Sequence, residues 1–276
     1  MSSDLRQALE ANDLFAKKSL GQHFLLDLNL TGKIARLAGI QSGETVLEVG
    51  PGPGGLTQTL LESPAAQVIV IEKDARFVAH LKEFFKSYGD RLIVIEGDAL
   101  AMDEASLLRK YEAKGAARLI SNLPYNVGTP LLVKWLKAGD WRGPMCLMFQ
   151  AEVAERICAR PGQGAYGRLT VLTAARCNAR LAMAVPRLAF VPPPRVESAV
   201  VVLENHDHPY ADLAALEHVT AQAFGQRRKM LRASLKGLGD CEALLAQAHI
   251  DPTARPETVP PEAFFALAKA WRGVAL

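Results

Sequence analysis

The chain has 276 residues, 49% of them hydrophobic, and a formal net charge of +3. This length and composition exclude global disorder and favour one large domain, alone or with a small second one. Because the net charge is small, a nucleic-acid surface would require local clustering of Lys and Arg.

The cysteine pattern and the N-terminal sequence indicate the cellular compartment in which the protein works. The four cysteines are scattered and form no CxxC pair, which argues against a disulfide framework or a zinc site. His206 and His208 are spaced like a metal pair but have no third ligand, so we expect no metal. Residues 1–21 contain acids and no apolar core, and no apolar run reaches membrane-spanning length. We expect a cytoplasmic monomer without a membrane partner.

Short apolar runs alternate with helical patterns along most of the chain. Helical patterns such as residues 75–85 and 129–137 separate runs that are nearly continuous in apolar residues, as in parallel strands covered on both faces. These strands are expected at residues 45–49, 67–72, 91–98, 117–122 and 144–150. The βαβ repetition predicts an open, doubly wound, Rossmann-like α/β sheet.

Two more strands are expected at residues 179–186 and 198–204, on either side of a proline-rich segment, which brings the sheet to seven strands. After residues 205–212 the β pattern disappears and only helical patterns remain. We therefore predict a sheet domain over residues 1–205 and a small all-helical domain over residues 206–276.

A glycine-rich segment, EVGPGPGGLT at residues 48–57, ends the first parallel strand and opens a helix. Glycines at such a turn let the backbone bend sharply and approach a ligand closely. Gly50, Gly52 and Gly55 match the dinucleotide pattern GxGxxG. That match alone is a weak signal and leaves the nucleotide-like ligand open.

Two acids at successive strand ends narrow the choice of ligand. Glu72 ends the second strand, where a carboxylate can accept both ribose hydroxyls, and Asp98 ends the third, where it can accept from an adenine amine. Either acid alone is often only a helix cap. A nicotinamide dinucleotide would explain Glu72 and the glycine loop, but neither Asp98 nor the segment NLPY at residues 122–125.

This constellation resembles the S-adenosylmethionine-dependent methyltransferases, and NLPY is similar to their motif for methylating exocyclic amines of bases. Over nearly the whole chain, the sequence resembles the KsgA family, the small-subunit (16S) ribosomal RNA adenine N6,N6-dimethyltransferases. The motifs that carry this resemblance are KKSLGQHFLLD (17–27), EVGPGPGGLT, NLPYNVGTPLL (122–132), FVPPPRVES (190–198) and QRRKMLRASL (226–235).

The resemblance implies a class I methyltransferase fold with S-adenosylmethionine as the methyl donor and no metal. It implies methylation at N6 of two adjacent adenosines in the 3′-terminal hairpin of small-subunit rRNA during ribosome biogenesis. The partner would be the small ribosomal subunit or its precursor.

The chemistry of adenine N6 explains the NLPY residues. The lone pair of this amine is delocalised into the ring, and acceptors at its N–H groups favour a pyramidal nitrogen with a localised lone pair. Asn122 offers its side-chain oxygen, Leu123 its carbonyl, and Pro124 fixes the local dihedral angles. Tyr125 offers a face for stacking, worth about 1–3 kcal/mol. The alternative without a catalytic role is a turn after the strand, in which the proline ends the strand and the tyrosine only packs against its neighbours.

A base in a helix must be extruded to reach such a pocket. A second aromatic ring should close its other face, and Phe190, before three prolines, is the candidate. Spacing alone favours an ordinary core phenylalanine, whereas the resemblance assigns the stacking role.

The cofactor contacts are also carried over from the resemblance. Gln22, His23 and Leu25 would border the methionine end, although His23 stands where many relatives have asparagine. The expected cofactor-binding residues are His23, Leu25, Gly50, Gly52, Glu72, Lys73, Asp98, Ala99 and Asn122.

Positive charge clusters in two regions. Residues 156–195 contain seven arginines and no acid. Arg228, Arg232 and Lys236 are spaced i, i+4, i+8, which predicts one helix face. A basic stripe is usually a solvated surface, but with an adenine-modifying pocket in the same chain it favours binding of rRNA phosphates. Lys17 and Lys18 would add to it.

Three alternatives remain at this point. A large-subunit rRNA adenine methyltransferase of the antibiotic-resistance type shares the cofactor and aromatic motifs, but fits NLPY and QRRKMLRASL less well. A catalytically idle RNA-binding factor on the same fold is disfavoured by Asn122 and the intact cofactor acids. A nicotinamide-dependent dehydrogenase is disfavoured by NLPY.

Overall fold

The computed structural model describes residues 22–274 together with Leu5, Gln7 and Leu14. Lys17 and Lys18 lie outside the described residues. The described strands are β1 (Phe24–Leu25), β2 (Thr45–Val49), β3 (Gln67–Glu72), β4 (Leu92–Glu96), β5 (Ala117–Asn122), β6 (Arg142–Gln150), β7 (Cys177–Val185), β8 (Phe190–Val191) and β9 (Ser198–Asn205).

Helices alternate with the strands and then continue alone to the C-terminus. The described α-helices are α1 (Leu28–Leu37), α2 (Gly55–Leu61), α3 (Ala75–Phe84), α4 (Glu104–Lys110), α5 (Gly128–Leu136), α6 (Ala151–Cys158), α7 (Arg168–Ala174), α8 (Leu213–Gly225), α9 (Leu231–Ser234), α10 (Cys241–Gln247) and α11 (Pro261–Val274). Short 3-10 helices lie at Lys86–Arg91, Arg187–Ala189, Lys236–Leu238 and Pro256–Thr258.

Aspartates determine where several helices begin. A carboxylate at the N-cap accepts a backbone N–H group that has no partner inside the helix. Asp27 caps α1 through Asn29 N, Asp74 caps α3 through Arg76 N, and Asp103 caps α4 through Ser106 N. Asp212 and Asp240 do the same for α8 and α10.

Within the described residues, seven strands form one sheet in the order β4-β3-β2-β5-β6-β9-β7. The strands from β4 to β6 are parallel, and β9 runs antiparallel to β6. Chain order reverses between β2 and β5, and in open α/β sheets ligands bind at the carboxyl ends of the strands beside such a switch point. The expected Rossmann-like fold is confirmed.

The ladder between β2 and β5 is short. Val46 pairs with Arg118 and Leu47 with Leu119, whereas β2 stays paired with β3 as far as Val49. Near the carboxyl ends, the N–H of Val49 instead donates to the buried hydroxyl of Ser121, at 2.8 Å. The strands that carry the glycine loop and NLPY therefore diverge at their carboxyl ends.

Apolar side chains cover both faces of the parallel strands. Val46, Val68 and Val70 are fully buried in one cluster with helix residues such as Leu60 and Leu81. A second cluster joins Phe24, Leu26 and Phe77 to Leu5 and Leu14. Successive strand residues such as Val46 and Leu47 point to opposite faces of the sheet and are both fully buried, which explains why these strands have no alternation of apolar and polar residues.

The chain divides into two compact units, one formed by residues 1–154 and 181–203 and the other by residues 155–180 and 204–276. This division differs from the single boundary near residue 206 by assigning residues 155–180 to the second unit. Tyr166 supplies a physical reason, because its fully buried hydroxyl donates to the carbonyl of Val259 at 2.7 Å. Gly162 N also donates to the carbonyl of Glu257, at 2.7 Å.

The expectation that Arg228, Arg232 and Lys236 share one helix face is wrong. Helix α8 ends at Gly225, Arg228 lies in a turn, Arg232 in α9, and Lys236 in a 3-10 helix. The chain leaves the helix because backbone donors find partners in a distant loop: Leu231 N bonds Ala254 O and Arg232 N bonds Pro252 O. All three cations are nevertheless exposed.

Candidate active site

The glycine loop after β2 is shaped by close neighbours. Gly50 and Gly52 have φ values of +69° and +53°, which residues with a Cβ rarely adopt. A Cβ on Gly50 would lie 3.1 Å from Cδ of Pro124, and one on Gly55 would lie 2.1 Å from the Leu25 carbonyl oxygen. The loop thus touches both NLPY and the N-terminal strand, and only glycine allows these contacts.

Glu72, at the end of β3, holds this loop from the side. Its Oε2 accepts the N–H of Gly52 at 3.0 Å, and its Oε1 accepts the N–H of Asp74 at 2.8 Å. Burial raises the pKa of this carboxyl, while these two hydrogen bonds oppose the rise. Because each carboxylate oxygen has two lone pairs, Glu72 retains acceptor capacity toward the cleft.

Asp98 follows β4 and pairs with Lys73. Lys73 Nζ lies 2.8 Å from Asp98 Oδ2, and the N–H of Leu100 donates to Oδ1 at 3.0 Å. The Lys73 ammonium is the main cause that holds the pKa of Asp98 below its usual range. Asp98 is therefore an ionised acceptor at the rim of the cleft, and Ala99 beside it is buried.

The loop after Asp98 is fastened to α5, the helix that follows NLPY. Lys134 Nζ donates to the carbonyls of Ala99 at 2.7 Å and Met102 at 2.5 Å, and to Glu104 Oε1 at 2.8 Å. Trp135 Nε1 donates to the same carboxylate oxygen at 3.0 Å. Sequence reasoning missed Lys134, because no local motif marks a lysine whose partners lie 30–35 residues earlier.

Asn122 ends β5 with its amide already oriented. Its Nδ2 donates to the carbonyl oxygen of His23 at 3.4 Å, so the amide oxygen remains available as an acceptor. The carbonyl of Pro124 accepts from Val127 and Gly128, both at 3.1 Å, and so begins α5. Among the residues described, no N–H donates to the Leu123 carbonyl. Two acceptors therefore stand free beside the cleft.

Tyr125 is half-buried and fixed at its hydroxyl. The hydroxyl lies 2.7 Å from Oγ of Ser198 on β9, and burial raises the pKa of the phenol. The ring of His23 stacks against it with centroids 5.7 Å apart and planes inclined by 30°. Tyr125 thus presents an aromatic surface in a fixed orientation.

Phe190 does not lie in the cleft. It is 1% exposed, forms β8, pairs with Leu25 of β1, and packs in the main core cluster. This position fits the core alternative, and the stacking role expected for Phe190 stays a prediction. Leu25, also buried, faces the glycine loop with its backbone carbonyl.

Glu48 lines the cleft and stands in the glycine motif, but the motif by itself does not predict a role for it. The side chain is 1% exposed, and its Oε2 accepts from the Thr57 hydroxyl at 2.7 Å. Burial raises its pKa to about 8, with a smaller contribution from nearby Glu72. The available signal was an acid at the end of an otherwise apolar strand.

The structure therefore brings most of the expected residues to one cleft. The lining includes His23, Leu25, Glu48, Gly50, Gly52, Glu72, Lys73, Asp98, Ala99, Asn122, Leu123, Pro124 and Tyr125. No group of three His, Cys, Asp or Glu side chains able to hold a metal occurs among the described residues. No helix in that part of the chain is both long and apolar enough to span a membrane.

Comparison with protein families gives a match over residues 14–272 to the model for ribosomal RNA adenine dimethylase. "Ribosomal RNA small subunit methyltransferase A" from Phenylobacterium zucineum (strain HLK1) is 57% identical over 270 residues, which cover 97% of this chain and 92% of that protein. The protein of the same name from Maricaulis maris (strain MCS10) is 51% identical, over 97% of this chain and 94% of that protein.

Two solved structures of similar fold agree with this family match. A dimethyladenosine transferase from Plasmodium falciparum superposes with a TM-score of 0.78 and 26% identity, over 91% of this chain and 98% of that one. The 23S rRNA methyltransferase ErmE superposes with a TM-score of 0.67 and 27% identity, over 90% of this chain and 99% of that one. The resemblance to KsgA is confirmed, and the chain belongs to the ribosomal RNA adenine dimethylase family.

Proposed function

We propose that this protein transfers methyl groups from S-adenosylmethionine to N6 of two adjacent adenosines in the 3′-terminal hairpin of small-subunit rRNA. The products are N6,N6-dimethyladenosines, made during ribosome biogenesis. The observation that carries the proposal is the orientation of Asn122: its Nδ2 is bonded to the His23 carbonyl, so its oxygen is left to accept from an adenine amine. The choice of the small-subunit rRNA as the substrate is supported by the names of the relatives.

The cleft residues suit S-adenosylmethionine. Glu72 offers acceptor oxygens for a ribose diol, and Asp98 offers an ionised acceptor for an adenine amine. The carboxyl of Glu48 can pair with a cationic group of the ligand. Gly50 and Gly52 have positive φ values and pack closely against Pro124 and Phe24, so the loop keeps its shape beside the cleft only with glycine at these positions. Lys73, Ala99, Leu25 and the backbone of His23 complete the lining that would hold it.

When bound, the cofactor supplies an electrophilic methyl group on its sulfonium. The oxygen of Asn122 and the carbonyl of Leu123 accept the N6–H groups and direct the nitrogen lone pair toward that methyl group. Tyr125 stacks on the base and restricts its rotation, so alignment of the two reactants accounts for much of the rate. No strong general base is required, because the amine becomes acidic as the new bond forms.

The RNA is held by cations of the second unit. Arg228, Arg232 and Lys236 are exposed in consecutive segments, and they contact phosphates without reading bases. The protein acts in the cytoplasm as a monomer and needs no metal. The four scattered cysteines form no disulfide, which is in accord with a reducing compartment.

Primer extension on purified small subunits that lack these methyl groups tests the proposal. Incubation with the protein and S-adenosylmethionine should produce stops at two adjacent adenosines of the 3′-terminal hairpin, because two methyl groups on N6 block base pairing. Omission of S-adenosylmethionine is the control. Stops only in large-subunit rRNA would instead indicate the resistance-type activity, and no stops in either RNA would refute the proposal.

A further inference from the structure

Ser198 holds the outer end of the Tyr125 side chain. Its Oγ lies 2.7 Å from the Tyr125 hydroxyl, across 73 residues of chain, and Ser198 is 1% exposed. Other buried hydroxyls, those of Thr59 and Thr220, bond to carbonyls of their own helices instead. Within the part of the chain that the structure describes, neither the serine nor the tyrosine hydroxyl has a second hydrogen-bond partner. The two hydroxyls therefore form a dedicated pair.

The backbone of Ser198 is fixed by the main sheet. Ser198 begins β9 and lies opposite Gln150 at the end of β6, and the carbonyl of the preceding Glu197 accepts from Ala151 N at 2.9 Å. Strand β6 in turn pairs with β5, the strand that ends at Asn122. Because strand pairing connects Ser198 to Asn122, the serine hydroxyl is a fixed point relative to the acceptor amide.

Tyr125 has no such anchor in its own backbone. It lies three residues after β5, in the loop that precedes α5, where a half-buried side chain has more than one staggered rotamer open to it. The phenol oxygen is the atom of the ring system farthest from the backbone, so a bond there restricts rotation about both side-chain torsions. The Ser198 contact thus determines how the plane of the Tyr125 ring is inclined to the Asn122 oxygen.

We propose that Ser198 is a positioning residue for methyl transfer, which acts through the phenol of Tyr125 to fix the plane on which the adenine stacks. The inference rests on the proposed function and deepens it. Ser198 is not among the residues that line the cleft, so it touches neither the base nor the cofactor. Its effect on the rate comes from alignment, because a base that stacks at the wrong inclination does not aim its N6 lone pair at the methyl group.

A double-mutant cycle tests this inference with Ser198→Ala, Tyr125→Phe and the variant that combines them. Tyr125→Phe keeps the aromatic face and removes only the hydroxyl. Ser87→Ala, at an exposed serine, is the control. Single-turnover methylation of unmethylated small subunits, with protein and S-adenosylmethionine in saturating excess, gives the rate. Calorimetry with S-adenosylhomocysteine gives cofactor affinity, and thermal unfolding verifies that each variant is folded.

We expect each single variant to be about tenfold slower than the parent, because each breaks the same hydrogen bond. The double variant should also be about tenfold slower, whereas two independent effects would multiply to about 100-fold. Affinity for S-adenosylhomocysteine should stay at the parental value in every variant, and Ser87→Ala should match the parent in rate.

Each contrary outcome has one meaning. A parent protein that leaves the subunits unmethylated overturns the proposed function and this inference with it. With an active parent, a folded Ser198→Ala variant of parental rate overturns the inference alone, because the serine then contributes only to stability. A double variant about 100-fold slower than the parent also overturns it, because the two residues then act independently.

Two further results decide against the inference. A loss of S-adenosylhomocysteine affinity as large as the loss of rate places the effect at the cofactor rather than at the base. A Tyr125→Phe variant of parental rate shows that the phenol needs no anchor. This last measurement also decides the question if Ser198→Ala does not fold, because Tyr125→Phe removes the same hydrogen bond at a half-buried position.

Discussion

The hydroxyl of Thr57 donates to the Glu48 carboxyl across 2.7 Å, in a place where neither side chain reaches solvent. The hydrogen bond favours the ionised form of Glu48, but burial outweighs it and raises the pKa to about 8. At neutral pH, most molecules of the free protein therefore keep this carboxyl protonated.

The first prediction concerns stability and pH. The folded protein retains the Glu48 proton between pH 4.5 and about pH 8, where an unfolded chain has lost it. The stability contributed by Glu48 is thus complete below the unfolded pKa and is lost as pH rises through the folded one. Glu48→Gln, which is neutral throughout, should gain about 1–3 kcal/mol over the parent across this window.

Urea unfolding at several pH values measures this difference. Glu96→Gln is the matched control, because Glu96 is exposed at the end of the neighbouring strand β4. Its free energy of unfolding should follow that of the parent at every pH. Parallel profiles for Glu48→Gln and the parent would contradict the prediction.

The second prediction separates chemistry from binding. Asn122→Ala removes the acceptor aimed at N6 and should slow single-turnover methyl transfer about 100-fold, while the affinity for S-adenosylhomocysteine stays near that of the parent. Asn29→Ala, at an exposed asparagine of α1, is the control. A rate within a few-fold of the parent would leave Asn122 with a structural role only.

The third prediction concerns the clamp on the loop after Asp98. Lys134→Met leaves Glu104, which is 2% exposed, without its cation and frees the carbonyls of Ala99 and Met102. The free energy of unfolding should fall by about 3 kcal/mol, and affinity for S-adenosylhomocysteine should weaken as the loop loosens.

The double variant Lys134→Met/Glu104→Gln should recover part of the stability, because the unpaired buried charge is gone, but not the cofactor affinity. Lys137→Met, at an exposed lysine that ends the same helix, is the control. Equal unfolding profiles and equal calorimetric affinities for Lys134→Met and the parent would show that the clamp does not position the loop.

The fourth prediction concerns the cations of the second unit. Replacement of Arg228, Arg232 and Lys236 with alanine should weaken binding of small subunits and reduce the slope of log affinity against log salt by about 0.7–0.9 for each phosphate that is no longer neutralised. Cofactor affinity should not change. The control Lys33→Ala/Lys82→Ala/Lys114→Ala removes the same charge from exposed positions outside the second unit. Superimposed salt curves for the two triple variants would show that the cluster does not bind phosphates specifically.

The sheet could be predicted from sequence because its signal is local. Three strands, Thr45–Val49, Gln67–Glu72 and Ala117–Asn122, lie where the apolar runs place them, since burial on both faces favours apolar residues at most positions. Glu72, Asp98 and Asn122 converge because carboxyl ends of adjacent parallel strands share one edge.

The features that local sequence patterns do not reveal share a different cause. A period of four residues predicted a helix through Arg228 and Arg232, but backbone bonds from Leu231 and Arg232 to residues 252–254 redirect the chain. Phe190 is buried because β8 pairs with β1, a contact across about 165 residues that no local pattern contains. His23 meets Pro192 over a separation of 169 residues. Such contacts exist only once the whole sheet has formed.

The hydroxyl of Ser121 replaces a main-chain acceptor for the N–H of Val49, so the ends of β2 and β5 stay apart while the buried donor remains satisfied. The reaction chamber therefore originates as a local separation of two strands rather than as space between packed helices. Position 121 accordingly tolerates fewer residue types than its burial alone implies. Threonine retains the hydroxyl. Alanine or valine either leaves the N–H of Val49 without an acceptor, or the ends of β2 and β5 move together and the cleft narrows.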